Sequence, residues 1–497
     1  MYSGEGWQCR RIDSIPSARI WGSAMAKQGF TMGDTVPGLI IDNVEDTPYV
    51  TGMLSFEELK GISLLVPFLN NTPQFAAVRG WVREGRPPSN LQLLTGTGRF
   101  TLYGCRTSGS SLNFGGQGFS TVRVTPQEVV FKDRDGDFED ALEVTELRSQ
   151  LDGLTEWTSM GATSYSVVAD EKNRAQKISV EVESPPALTW SLGDVTFELS
   201  TDWRTDQEEP GFRVREWVCL TTKYATSRPC ADHLAEQRKI VALLTLMYGQ
   251  PVAFRRHEIR DSRFNAKVLT GKVVHVPFFE MVSENTVSDY WRPLPGKLKH
   301  PLATASEVGI EGLQRWLAEF EEWERLIQPG AGTLRRPESY VEDHIVNASV
   351  SLEAAGHILG EVEGERDSWS KGKRPQPTTA TYVFRSLSTV NLDWSDIAES
   401  PMALARAVAN NYNDVKHANR GPMPPADHTY VAGKVALLVV RLLALRLMEP
   451  SMTLTKAFGE DWKFGTFKQQ IIDMNVYAYA GGKFGPQPQE ESEREEA

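Results

Sequence analysis

The 497-residue chain is poor in cysteine, with four at positions 9, 105, 219 and 230, and no CxxC spacing among them. That set excludes a zinc ribbon and a disulfide scaffold and fits a reducing compartment. Basic charge is also short: 53 Lys and Arg against 65 Asp and Glu leave a net charge of -12. Such a balance argues against a surface that coats nucleic acid or membrane at large, while leaving room for a local basic site. Long apolar runs are scarce. VALLVVRLLALRLM (435–448) is too short to span a bilayer and carries Arg441 and Arg446, so it reads as a buried helix with two snorkelling arginines. The start, MYSGEGWQCRRIDS, has no apolar signal-peptide core, and the expectation is a cytoplasmic protein with no membrane partner.

Metal and phosphate-loop signatures are missing as well. None of the eight histidines forms an HxH or HxxxH pair. KDRDGDFED (132–140) opens like a calcium loop, but Phe138 stands where such a loop needs glycine and Val144 where it needs glutamate, so a polar hairpin turn is the better reading. FGGQGFST (114–121) lacks the Lys-Ser/Thr of a phosphate loop and reads as a turn. Neither a metal nor a cofactor is expected.

What is present divides along the chain. The length predicts two or three domains. Residues 1–305 are rich in short β-branched, partly alternating runs, among them VTGMLSF (50–56), STVRVT (120–125), EVVF (128–131), KISVEVE (177–183), DVTFELS (194–200) and REWVCLTT (215–222). They predict an antiparallel sheet or sandwich-like region, interrupted by one helix from about Asp232 to before Gly249. Over 306–334, Leu313, Trp316, Leu317, Phe320, Trp323 and Ile327 recur at helical spacing. A helical linker is expected there, broken by QPGAGTLRRP. Residues 335–482 read as an all-α domain with helices near 339–360, 394–418 and 427–449 and a polar, mobile loop over 361–380. Residues 483–497 read as a disordered acidic tail. The fold class is therefore α+β: a β-rich region followed by a helical bundle. Charge follows the same division, since the tail from 484 carries five Glu and one Arg, and 335–483 is neutral with 17 charges of each sign.

One stretch concentrates chemistry. NNYNDVKHANRG (410–421) ends a helical pattern with amides, cations and a histidine. With 401–420 as helix, Arg406 and Asn410 fall within about 20° of His417, Asn413 within about 40° and Arg420 within about 60°. Leu404, Val408 and Val415 fall on the far side. Polar stripes are commonly solvated faces, and Gly421-Pro422 is a stop signal. The same stripe, with Lys416 beside it, has the groups to bind a phosphate and move a proton near neutral pH. His428 and Glu353 are secondary candidates, the first across the following turn and the second on the 339–360 helix.

YNDVKHANRG (412–421) resembles the signature segment of HEPN domains, in which a helix carries arginine, a polar residue, a spacer and histidine. SYVEDHIVNASVSLEAAGHI resembles the first long helix of an ApeA-like HEPN domain. VTGMLSFEEL, STVRVTPQEVVF and LRSQLDGLTEWTS resemble successive segments of the N-terminal domain of ApeA anti-phage defence proteins. The resemblance implies an abortive-infection ribonuclease that cuts RNA, tRNA included, without metal, and pairs as a homodimer through the helical domain. The β-rich part would answer a phage protein or another infection signal. Carried over by position, His417 is the acid/base and Asn413 the polar residue four positions before it. The family's arginine is Tyr412 here, which leaves Arg406, Lys416 or Arg420 as substitute cations. It also keeps open a catalytically degenerate sensor or scaffold that binds a phage protein or RNA. A carbohydrate-binding sandwich rests on architecture alone.

Overall fold

The computed structural model describes residues 32–488, except 43–48, 59, 97, 116–117, 132–140, 209–210, 262–265, 268–272, 276, 291, 297 and 299. The KDRDGDFED turn, part of the glycine-rich FGGQGFST turn, the first 31 residues and the last nine of the acidic tail lie outside the described residues.

The fold class is α+β. The β-rich region opens with β1 (Thr35–Ile41), β2 (Val50–Glu57), β3 (Gly61–Phe68), α1 (Ala76–Glu84), β4 (Leu91–Thr95), β5 (Gly98–Tyr103), β6 (Arg106–Ser111), β7 (Ser120–Thr125) and β8 (Glu128–Phe131). It continues with β9 (Glu143–Leu151), α2 (Leu154–Thr158), β10 (Thr163–Ala169), β11 (Ala175–Val182), β12 (Leu188–Leu192), β13 (Val195–Glu208) and β14 (Gly211–Pro229). After the long α3 (Cys230–Tyr248) come β15 (Phe254–Arg260), β16 (Ala266–Lys267), β17 (Val273–His275), β18 (Phe279–Ser283) and α4 (Val287–Tyr290). Fourteen of these strands hydrogen-bond as one antiparallel sheet, ordered β12-β13-β14-β9-β15-β18-β8-β5-β4-β1-β2-β3-β7-β6. The sequence pattern explains the strands: STVRVT alternates fully buried and half-buried positions along β7, as one-sided burial at period two requires.

The helical part comprises α5 (Ala305–Glu319), α6 (Glu324–Leu334), α7 (Val341–Leu359), α8 (Thr379–Val390), α9 (Pro401–Lys416), α10 (Ala426–Met448), α11 (Thr453–Glu460) and α12 (Trp462–Asp473). A closing hairpin, β19 (Tyr477–Tyr479) with β20 (Lys483–Gly485), follows. The expected tail therefore begins later than 483, because Lys483–Gly485 pairs with β19 and Phe484 packs on the His428 ring at 5.8 Å.

Two apolar clusters organise these elements. The smaller is lined by β1–β5, β7, β8 and α1, with Leu54, Phe56, Leu91, Val122 and Trp81 among its members. The larger runs without a break from β9, β13 and β14 through α3 into α5–α10. The segment 306–334 lies inside that core, with Leu313, Trp316, Leu326 and Ile327 all buried. QPGAGTLRRP was expected to break the helix, but the break falls earlier, at 320–323, and α6 continues through Pro329 to Leu334. The small residues serve packing: a Cβ on Gly330 would meet Val440 of α10 at 2.6 Å. The run TATYVFRSLSTV has strand-favouring composition, yet it forms α8 behind a Thr378/Thr381 capping box. Tertiary burial of Val383, Leu387 and Val390 overrides propensity there.

The loop over 361–380 was expected to be polar and mobile. Instead it carries a short 3-10 turn at Glu365–Ser368 whose carboxylate is buried. Arg385 of α8 donates to both Glu365 oxygens, at 2.6 and 2.8 Å, and to the Gly356 carbonyl at 2.8 Å. Arg385 holds the Glu365 carboxyl well below the usual carboxylate range, at about 2. A paired charge of this kind anchors the segment.

Arg441, expected to snorkel, does something else. Its Nε donates to the Leu246 carbonyl at 2.6 Å and its Nη2 to the Met247 carbonyl at 2.8 Å. These belong to the last turn of α3, which ends at Gly249 in the left-handed region (φ 67°). A guanidinium from α10 thus caps the C-terminus of a helix in the β-rich region, where orphan carbonyls and the negative dipole end favour a cation. Burial lowers its pKa to about 10, which leaves it charged at neutral pH. Replacing it by methionine takes the donor from the Leu246 carbonyl, at about 1–3 kcal/mol, while the Met247 carbonyl keeps the Leu302 N–H at 2.9 Å. Arg441→Met is expected to lower stability by about 1–3 kcal/mol, read as a lower midpoint of chemical denaturation; an unchanged midpoint would show that the cap is dispensable.

Candidate active site

α9 is set by its N-terminus and its apolar face. Ser400 caps it by accepting the Ala403 N–H at 3.1 Å, and Pro401 occupies the first helical position. Leu404, Val408 and Tyr412 face the core. The helix stops at Lys416. His417 is extended (φ -112°, ψ 102°), a 3-10 turn covers Ala418–Arg420, and Gly421 has φ 110°. His417 and Arg420 therefore leave the helical wheel on which the sequence pattern placed them.

The expected residues separate into two groups. Arg406 stands eleven residues before His417, about 16 Å of helical rise, so sharing an angle does not bring the two together. Its guanidinium donates to the carbonyls of Asp367 and Ala480. Asn410 donates to the Gly482 carbonyl at 2.8 Å. Both side chains fasten the β19–β20 hairpin and the 365–368 turn to α9. Asn413, Lys416, His417 and Arg420, by contrast, lie together at the end of the helix. Asn413 is half-buried and the other three are exposed. The His417 N–H donates to the Asn413 carbonyl at 3.0 Å, and Arg420 N–H to the His417 carbonyl at 3.0 Å. Arg420 also reaches Asp414 at 3.3 Å, an exposed ion pair that holds the guanidinium loosely.

The contact that sequence reasoning missed is between Tyr412 and Lys416. Tyr412 is buried, with 2% of its surface exposed, and its hydroxyl accepts a hydrogen bond from Lys416 Nζ at 2.9 Å. The ammonium also lies 5.0 Å from the ring centroid. This hydrogen bond, helped by the nearby Glu353 carboxylate, raises the Lys416 pKa. The signal was available as an i,i+4 pair, which places two side chains on one helical face. The last turn of α9 is the negative end of its dipole, so an anion held there must draw its attraction from side chains.

The secondary candidates turn elsewhere. His428 packs on Phe484, and Glu353 accepts from Thr379 Oγ1 at 2.5 Å. Below the site, Asn411 Nδ2 donates to Thr429 Oγ1 at 3.2 Å. Asn411 Oδ1 and His344 Nε2 are buried without a hydrogen-bond partner. Among the described residues no group of three or more His, Cys, Asp or Glu is placed to hold a metal ion, and no helix is long and apolar enough to cross a membrane.

A family model described as ApeA N-terminal domain 1 matches residues 42–316, more than half of the 497-residue chain. Its span runs from the end of β1 into α5 and stops before α9. No curated protein and no solved structure matches the chain.

Tyr412→Phe removes the acceptor that fixes Lys416 while keeping the buried ring. It is expected to cost about 0.5–1.5 kcal/mol of stability and to make Lys416 more reactive toward an amine acylating reagent, read by peptide mass spectrometry. Equal labelling of Lys416 in wild type and variant would show that the hydrogen bond does not hold the ammonium.

Proposed function

The chain belongs to the family of ApeA N-terminal domain 1 and is an anti-phage defence protein; from that premise we propose that its helical part is a metal-independent HEPN-type endoribonuclease. The observation that carries the proposal is the exposed set Lys416, His417 and Arg420 beside Asn413, with Lys416 fixed by Tyr412. Tyr412 occupies the position where the resemblance expects arginine. The cation is then supplied one turn later, by a lysine that the tyrosine holds in place.

In this reading His417 takes the proton of an RNA 2′-hydroxyl, whose oxygen attacks the adjacent phosphorus. The bond to the 5′-oxygen breaks, that oxygen acquires a proton, and the product strand ends in a 2′,3′-cyclic phosphate. Lys416 and Arg420 stabilise the charge that builds on the phosphoryl oxygens, and Asn413 orients the phosphate by hydrogen bonding. Two protomers pair so that both α9 ends face one cleft, and RNA, tRNA included, is the substrate. The β-rich region answers an infection signal such as a phage protein and restrains the helical part. The continuous core that joins the two supports such coupling.

The missing arginine favours one other reading, a sensor or scaffold that binds RNA or a phage protein without cutting. Labelled total tRNA and a mixed-sequence RNA, incubated in EDTA with wild type or His417→Ala, alone and with infected-cell lysate, separate the two. Cleavage by wild type is expected, reduced by about 10²–10⁴-fold in His417→Ala. Binding without any His417-dependent cleavage would establish the scaffold instead.

A further inference from the structure

Away from α9, a cavity of about 720 Å³ opens where the β-rich region meets the turn that leads from α6 into α7. Its volume lies within the range of small-molecule sites. It is lined by Asp152 and Arg255 at the ends of β9 and β15, by Arg292–Gly296 following α4, and by Arg335–Ser339. Four arginines and two carboxylates, Asp152 and Glu338, line it.

The arginines are not equally committed. Arg255 is saturated: it donates twice to Asp152, at 2.7 and 2.6 Å, and to the Arg292 and Pro293 carbonyls at 2.7 and 3.1 Å. Arg292 and Arg335 share a single carboxylate. Asp289 is 3% exposed and takes Arg335 Nη2 at 2.7 Å, Arg292 Nε at 3.5 Å and the Phe254 N–H at 3.1 Å. One negative charge thus serves two guanidiniums, and Arg335 Nε is buried with no hydrogen-bond partner among the described residues. Arg336 is exposed, and among the described residues its side chain donates to the Gly332 carbonyl alone, at 3.3 Å. Arg292 Nη1 also donates to the Arg335 carbonyl at 2.8 Å, so these two guanidiniums are neighbours, and planar guanidiniums grouped with unspent donors are the arrangement that takes phosphate bidentately.

We propose that this cavity binds a phosphorylated small molecule of nucleotide size, its phosphate bridging Arg292 on the β-rich side to Arg335 and Arg336 at the entry to α7. The bridge crosses the junction between the two parts of the chain, with Arg336 five residues before α7 begins at Val341. Occupancy therefore biases how the β-rich region and α7 are held together, whatever reaction the α9 end performs. The site does not depend on the nuclease reading, and its test is binding.

Isothermal titration of the full chain with inorganic pyrophosphate, ATP and adenosine is the direct experiment. Saturable binding of pyrophosphate or ATP, absent for adenosine, is expected. The affinity should fall about tenfold or more in Arg336→Ala and in Arg292→Gln, the loss of one charge-assisted contact each. Arg336→Ala carries the test on its own, because the side chain is exposed and bonds only within its own turn among the described residues, so its loss is expected to leave the fold intact. No binding of either anion, or binding unchanged in Arg336→Ala, would overturn the proposal.

Discussion

The Arg441 guanidinium on the last turn of α3 is the polar contact set inside the continuous core that joins the two halves of this protein. α3 rises from the sheet, α10 is the central helix of the bundle, and a charge between them donates to the Leu246 and Met247 carbonyls at the end of α3, the second of which also takes the Leu302 N–H. Around it, Leu246 of α3, Gly330 of α6 and Val440 of α10 close the packing. Because small residues in α6 let α10 approach, the helices at 305–334 belong to a shared core. In the proposed reading, a signal received by the sheet would reach the bundle through this shared core.

At the far end of that bundle, the α9 terminus separates holding from acting. Arg406 and Asn410, early on the polar stripe, tie down the closing hairpin; Asn413, Lys416, His417 and Arg420, late on it, remain available. In the proposed reading, tyrosine at the position where the resemblance expects arginine would be less of a loss than charge counting implies. A buried aromatic ring with a hydroxyl at its edge positions a lysine one turn on, and it does so at low entropic cost, because the ring is already fixed by the core.

The sequence made the sheet legible because one-sided burial writes a period of two: the runs at 120–125 and 128–131 coincide with β7 and β8. It made α7 and α10 legible through their length and apolar spacing. It did not disclose α8, whose β-branched and aromatic residues favour strand locally and become helical only by packing and capping. Nor did it disclose the buried Glu365–Arg385 pair, since charge in a Gly- and Pro-containing stretch looks solvated until its partner, twenty residues on, is placed beside it. For the site, the wheel identified the face but not the height along the helix. Angle alone grouped Arg406 with His417, although the rise between them is three turns.

The central claim is that the α9 end directs a 2′-hydroxyl onto its neighbouring phosphate. Analysis of the ends left on cut RNA tests that claim most directly. A 2′,3′-cyclic phosphate on one fragment and a free 5′-hydroxyl on the other, formed in EDTA, is the result expected of His417 acid/base chemistry. Fragments ending in 3′-hydroxyl and 5′-phosphate would mean that water, not the ribose, attacks phosphorus, and would contradict the assignment of this site.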